Sequence, residues 1–185
     1  MQSNIILITA LANELNADQL PPGIQVFYSG VGKINATITT MRAIQTCQPS
    51  LILNFGTAGS VDPRHTGLLG IRRVIQRDMQ TEPLSPRGQV PFCPRPNAYF
   101  SKQGTHSCGS GDNFVTAHDP WLVEQAVDVV DMELFAIATV AHDFDIPWIS
   151  FKYVSDQANE QAGKDWADKV NHGEALYLEQ LRNIL

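Results

Sequence analysis

The sequence holds no paired cysteines, no clustered histidines and no surplus of positive charge. Its three cysteines, Cys47, Cys93 and Cys108, show no CxxC spacing, and an odd count argues against a disulfide framework. Cys47 and Cys108 read as buried thiols. His65, His106, His118, His142 and His172 show neither HExxH nor HxxxH spacing, so no metal site is expected. A net charge of −6 leaves no electrostatic footprint for nucleic acid or an anionic membrane. The N-terminus lacks a basic stretch, and Asn13-Glu14 interrupts its apolar run, so neither a leader nor a membrane span is expected. A cytoplasmic location is the default. Repeats, linkers and low-complexity segments are also missing. No Ser/His/Asp or Cys/His arrangement can be argued from order or spacing.

What remains is an ordinary globular composition, 43% hydrophobic and 17% charged over 185 residues, enough for one domain with a sizeable core. The most informative stretch runs from Val129 to Glu160. An acidic pair, Asp131 and Glu133, straddles Met132, and a nearly all-apolar helical run follows to about Phe144. A turn at Asp145-Ile146-Pro147 leads into a strand over Trp148–Val154 that delivers Ser155-Asp156 at its C-terminal end. A helix that is apolar on most faces is normally buried, and a carboxylate is seldom buried without a partner. Glu133 is therefore either a favourable charge at the helix start or a group held for a ligand. Asp156 reads either as a helix N-cap or as a carboxylic acid with a raised pKa that can donate a proton.

Earlier in the chain, Asn4–Ala10 reads as a central parallel strand ending at Leu11-Ala12-Asn13-Glu14. Ile24–Ser29 is a second strand. The turn Gly30-Val31-Gly32 opens a helix that runs to about Cys47 and is stopped by Pro49. Ser50–Phe55 is a third strand, followed by a second glycine turn over Gly56–Ser60. This order predicts a doubly wound α/β fold: a single domain with a mixed, twisted central sheet flanked by helices on both sides. Either glycine turn could place backbone N–H groups against an anion or merely permit a tight turn. Leu68–Gln76 reads as a strand, and Thr81–Asn97, with Pro83, Pro86, Pro91, Pro94 and Pro96, as an irregular loop. A turn-rich segment spans Ser107–Phe114, a short helix Pro120–Val127 and a short strand Asp128–Val130. Asp165–Leu185 reads as one amphipathic helix weakened at Gly173. On bare sequence Glu14 reads as a surface residue or, by its place just after the first central strand, as a site residue. Phe114 reads as a core residue or, beside a glycine turn, as an aromatic that can stack on a base.

Five segments carry a family likeness: Ile5–Glu14, Ser29–Ala36, Asn54–Ser60, Ser110–Val115 and Val130–Asn159. Together they resemble the nucleoside phosphorylase and nucleosidase superfamily, and most of all its methylthioadenosine/S-adenosylhomocysteine nucleosidases. The resemblance implies cleavage of the N-ribosyl bond of a purine nucleoside, without a cofactor, by a protein that forms dimers or larger oligomers. It implies Asp156 as general acid with Ser155 orienting it, and Glu14 as the base that activates water. It implies Met132 and Glu133 as the ribose-binding pair, Phe114 stacking on the base and Val115 offering backbone bonds to the purine edge. Thr57, Ala58 and Gly59 match a binding loop in which Thr57 replaces the usual serine. Lys152 stands where the family has an arginine, Trp166 where it has a pocket phenylalanine, and Leu11 where it has a methionine, and the resemblance implies all three as substrate-binding residues. The chain is also shorter than the family pattern between Asn16 and Ile24, and Gln76-Arg77-Asp78-Met79 replaces the usual Tyr-His-Asp segment. The second glycine loop carries no arginine of the kind phosphate-using relatives place there, which favours water as nucleophile. Hydrolysis of another nucleoside such as futalosine, phosphorolysis, and nucleoside binding without efficient catalysis stay open as alternatives.

Overall fold

The computed structural model describes residues 4–184. The strands are β1 (Ile5–Thr9), β2 (Ile24–Tyr28), β3 (Leu51–Ser60), β4 (Leu68–Gln76), β5 (Ala98–Phe100), β6 (His106–Ser110), β7 (Val129–Asp131) and β8 (Trp148–Asp156). The helices are α1 (Lys33–Cys47), α2 (Pro120–Glu124), α3 (Leu134–Asp143), α4 (Ala162–Lys169) and α5 (Glu174–Arg182), with a 3-10 turn at Ala17–Gln19. Among the described residues no helix is long and apolar enough to cross a membrane.

Five of the strands close on themselves. β3 pairs with β8, β8 with β4, β4 with β6, β6 with β7, and β7 returns to the C-terminal end of β3 through Gly59 and Val130. β1 and β2 extend the sheet beyond β3 in parallel, and β5 flanks β4. The mixed sheet with flanking helices is as expected, but the doubly wound form is not. β8 runs antiparallel to β4 and β7 antiparallel to β3, and register shifts at Ala58/Gly59 and Ile71/Arg73 bend the sheet enough to close it.

The period-two alternation of the strands sorts the core into two layers. Ile6, Ile8 and Ile52 face α1 and α3, packing with Ala36, Ala43, Leu134 and Ile137. Ile5, Leu7, Leu53 and Phe55 face the other way and meet Tyr177 and Leu181 of α5. Phe55 and Tyr177 stack with ring centroids 4.4 Å apart. Each such buried side chain contributes about 1.5–3 kcal/mol, so both layers are needed to hold β1, β3 and β8 in place.

Two expected elements take other forms. β3 does not stop at Phe55 for a glycine turn but continues through Gly56–Ser60. Its glycines serve close approach instead: a methyl group at Gly59 would lie 2.6 Å from Asp156 Oδ1, and one at Gly56 would lie 3.3 Å from Lys152 Nζ. The C-terminal helix is two helices, α4 and α5. The break spans residues 170–173, and Gly173 at the start of α5 lies so close to β8 that a Cβ there would collide with Tyr153 at 2.4 Å.

Candidate active site

The strand ends of β1, β3, β6, β7 and β8 surround one cavity of about 310 Å³. Of the residues singled out in the sequence, Leu11, Glu14, Thr57, Ala58, Gly59, Phe114, Val115, Met132, Glu133, Ser155, Asp156 and Trp166 all line it. Lys152 does not; it lies buried beneath the floor, ion-paired to Asp131 at 2.7 Å.

Glu14 is not a surface residue. It is 4% exposed, because the turn after β1 folds its side chain back against β3. Oε1 accepts the N–H and the hydroxyl of Thr57, each at 2.9 Å, and Oε2 accepts from Leu11 N at 3.1 Å and Thr9 Oγ1 at 3.2 Å. Phe114 is not a core residue either: nearly half exposed, it stands at the mouth, edge-on to Trp166 with centroids 6.4 Å apart.

Asp131 and Glu133 divide the roles that the sequence left open. Asp131, at the end of β7, caps α3: its Oδ2 accepts from Leu134 N at 2.8 Å and Glu133 N at 3.3 Å. Ser110 and Cys108 donate to its other oxygen. Burial pushes the Asp131 carboxyl up, but the Lys152 ammonium and these bonds outweigh it and hold it below the ordinary range. Burial likewise pushes Lys152 down, and Asp131 and Glu133 together more than reverse that. Glu133 sits at the N-cap position of α3 without capping it. Its side chain turns into the cavity and accepts from Gly32 N at 2.8 Å. Burial first, and then the Asp131 carboxylate, raise it to about 7.

The turn Gly30-Val31-Gly32 does open a helix, α1. The anions that its N-terminus receives are the protein's own: Glu133 on Gly32 N, and Asp112 on Lys33 N at 2.7 Å. Lys33 also pairs with Asp78, whose other oxygen accepts Asp112 N, so α1, β4 and the loop after β6 are tied together.

Asp156 ends β8 and caps no helix. Its Oδ1 accepts from Ala158 N and its Oδ2 from the Ser155 hydroxyl, both at 2.9 Å. Ala158 adopts a left-handed φ of 46°, which turns the chain back over the carboxyl. Burial raises the Asp156 carboxyl above the ordinary value despite both bonds.

Sequence reasoning passed over Arg77 and the partnership of Asp131 with Lys152. Arg77, just past β4, is 3% exposed and lines the cavity. Its guanidinium donates to Gly109 O and Gly111 O, each at 3.1 Å, and to Asn113, so it shapes the loop that carries Phe114 and Val115. No motif marks it. The available signal was an arginine directly after a buried strand, a place where charge is costly unless fully bonded.

Comparison with known proteins agrees with this architecture. The family model described as the phosphorylase superfamily matches residues 23–185. A 5'-methylthioadenosine/S-adenosylhomocysteine nucleosidase of Halalkalibacterium halodurans is 33% identical over 179 residues, covering 83% of this chain and 73% of the relative. One from Staphylococcus haemolyticus is 31% identical over 158 residues, 72% of this chain and 68% of the relative. In fold the chain is similar to the Helicobacter pylori nucleosidase crystallised with 5'-methylthioadenosine in its active site, at 21% identity, TM-score 0.88 and full coverage of both chains. It is equally similar to the native futalosine hydrolase structure from Helicobacter pylori, at 21% identity and TM-score 0.88, covering 99% of this chain and 98% of that one. The matched residues, the closed mixed sheet and the cavity at its strand ends agree, and the chain belongs to the phosphorylase superfamily and, within it, to the 5'-methylthioadenosine/S-adenosylhomocysteine nucleosidase family.

Proposed function

We propose that the protein hydrolyses the N-ribosyl bond of a purine nucleoside, of the 5'-methylthioadenosine and S-adenosylhomocysteine class, and releases adenine. The observation that carries this reading is the placement of three buried carboxyls, Glu14, Glu133 and Asp156, on separate walls of one cavity closed by Phe114 and Trp166. As the bond from C1′ to N9 breaks, its electron pair goes to the purine and positive charge gathers on the ribose. Asp156, which burial keeps protonated to higher pH than an ordinary carboxyl, donates to purine N7. Ser155 holds that carboxyl in place. A water oxygen bonds to C1′, and Glu14 takes the proton it sheds. Glu133 accepts the ribose hydroxyls beside Met132, Phe114 stacks on the base and Val115 offers it backbone groups. Lys152 acts from below the floor through Asp131, without touching substrate.

Water suits this cavity better than phosphate. Among the described residues lining it, the one cation is Arg77, whose guanidinium is spent on Gly109, Gly111 and Asn113. A phosphate dianion would instead meet Glu14 and Glu133.

Homodimerisation belongs to the same proposal. Ile34, Ile38 and Met41 form one exposed apolar stripe along α1, with Ile34 73% exposed, and Val31, exposed in the turn before the helix, also lines the cavity. A second copy seated there would wall the mouth. Sedimentation of the protein and of Ile34→Glu tests it: a dimer turned monomer is expected, and a wild-type monomer counts against it. All three cysteines are free, which suits a reducing, cytoplasmic compartment.

The deciding experiment measures free base released from methylthioadenosine, S-adenosylhomocysteine, adenosine, inosine and futalosine, each with and without phosphate. Phosphate-independent release of adenine from the first two is expected. Release only with phosphate would make the role of Glu14 wrong. Preference for futalosine would move the substrate class, and adenine binding without release would mark a binder.

A further inference from the structure

Trp166 does more than wall the cavity. Its indole Nε1–H donates to Thr57 Oγ1 at 2.9 Å, and Thr57 Oγ1 stands 2.9 Å from Glu14 Oε1. An indole N–H can only donate, so it occupies a lone pair of the hydroxyl. The hydroxyl has one proton, and the Glu14 carboxylate accepts it. The direction of the chain is thereby fixed, from α4 through β3 to the carboxylate. Without the indole, the Thr57 hydroxyl would be free to rotate and to spend its proton elsewhere.

The helix that carries Trp166 also packs against β8. Within α4 Ala162 is the buried residue, and the Gln161 side chain makes no capping bond to the helix. On the cavity side, Trp166 meets the edge of Phe114 and the hydroxyl of Thr57. The seating of α4 and the orientation of Glu14 therefore meet at one atom, Thr57 Oγ1.

We propose that Trp166 is a positioning residue for the water-activating carboxylate: seated with α4, it sets the Thr57 hydroxyl so that Glu14 is held in its working orientation. This rests on the reading of Glu14 as the base. A tryptophan serving only as a wall would govern how well substrate fits; a tryptophan serving as a tether governs turnover.

Trp166→Phe, measured on the full chain, keeps the aromatic wall and removes the N–H. Loss of one hydrogen bond of ordinary worth should lower kcat about three- to tenfold, with KM within about twofold. In a Thr57→Val background Trp166→Phe should cost nothing further, because the middle of the chain is already gone. A readout independent of turnover is the indole N–H resonance of Trp166 in the unliganded protein, assigned by its loss in Trp166→Phe. It should shift in both Thr57→Val and Glu14→Gln. A rise in KM with kcat unmoved, additive losses in the double variant, or a resonance indifferent to Thr57→Val would each overturn the tether. An active wild-type enzyme whose kcat ignores Trp166→Phe sinks the tether alone. A wild type that releases no base sinks the reading of the site and with it the catalytic meaning of the tether, even if the resonance still follows Glu14.

Discussion

On the floor of the cavity two carboxyls are bonded several times over: Asp131 to Lys152, Ser110 and the start of α3, Glu14 to Thr57, Thr9 and Leu11. At the mouth, Phe114 and Trp166 meet edge to face at 6.4 Å, and among the described residues one indole hydrogen bond joins their side chains to β3. The floor is built by strand ends that the closed ring of β-strands cannot move independently. The mouth is built by a loop and a short helix. Charge placement requires the first kind of construction, since a buried carboxylate with a missing donor costs on the order of 1–3 kcal/mol or more. Admission of substrate requires the second. Changes on the floor should therefore register in stability and chemistry, and changes at the mouth in binding, except at the Trp166 indole N–H, whose bond reaches down to Thr57 on the floor.

The largest effect is expected from Lys152→Met, which leaves Asp131 buried without its cation. The loss should be about 3–5 kcal/mol of folding stability in a denaturant titration; a loss below about 1 kcal/mol would mean that the floor tolerates an unpaired charge. Asp156→Asn comes next. It should lower kcat about 100-fold or more while adenine affinity stays within about tenfold, or about 1.4 kcal/mol. Near-wild-type rates in that variant would remove Asp156 as the acid.

Glu133→Gln probes a floor carboxyl that burial first, and then the Asp131 carboxylate, drive upward. Its folded value of about 7 lies above the ordinary 4.5, so the native state binds that proton more tightly than the unfolded chain. The stability this confers is fully present at low pH and is lost as pH rises from about 4.5 through about 7. Denaturation midpoints should therefore fall across that window in the wild type more than in Glu133→Gln, and parallel curves would place the titration elsewhere. The smallest effect is at the mouth. Phe114→Ala should change stability by less than about 1 kcal/mol while raising KM about fivefold, the worth of weak base stacking. A large stability loss there would erase the distinction between floor and mouth.

The parts of this arrangement legible in the sequence are those encoded locally. The short apolar, β-branched run of Ile5–Thr9 and the longer apolar run of α3 carry their own signal, and the segments around Asp156, Glu133 and Phe114 carry family motifs. What was illegible depends on pairing between distant segments. Glu14 reads as exposed until Thr57 is brought against it by the pairing of β1 with β3. The stretch Gly56–Ser60 reads as a turn until β8 lies beside it and needs glycine for the Asp156 side chain. Lys152 reads as a pocket cation until Asp131 claims it. Arg77 has no local signature at all, because its partners are carbonyl groups of a loop more than thirty residues away.

The closed ring of strands also sets an order in time. Asn54 and Ser150, bonded across β3 and β8, lie 96 residues apart in the chain, and such distant pairings are slow to form, on the millisecond-to-second scale. During synthesis β8 is the last of the strands to emerge. It is also the strand that carries Asp156. A nascent chain thus gains Asp156, the acid proposed above, only in the step that shuts the ring, and on that reading a partly folded chain is a silent one.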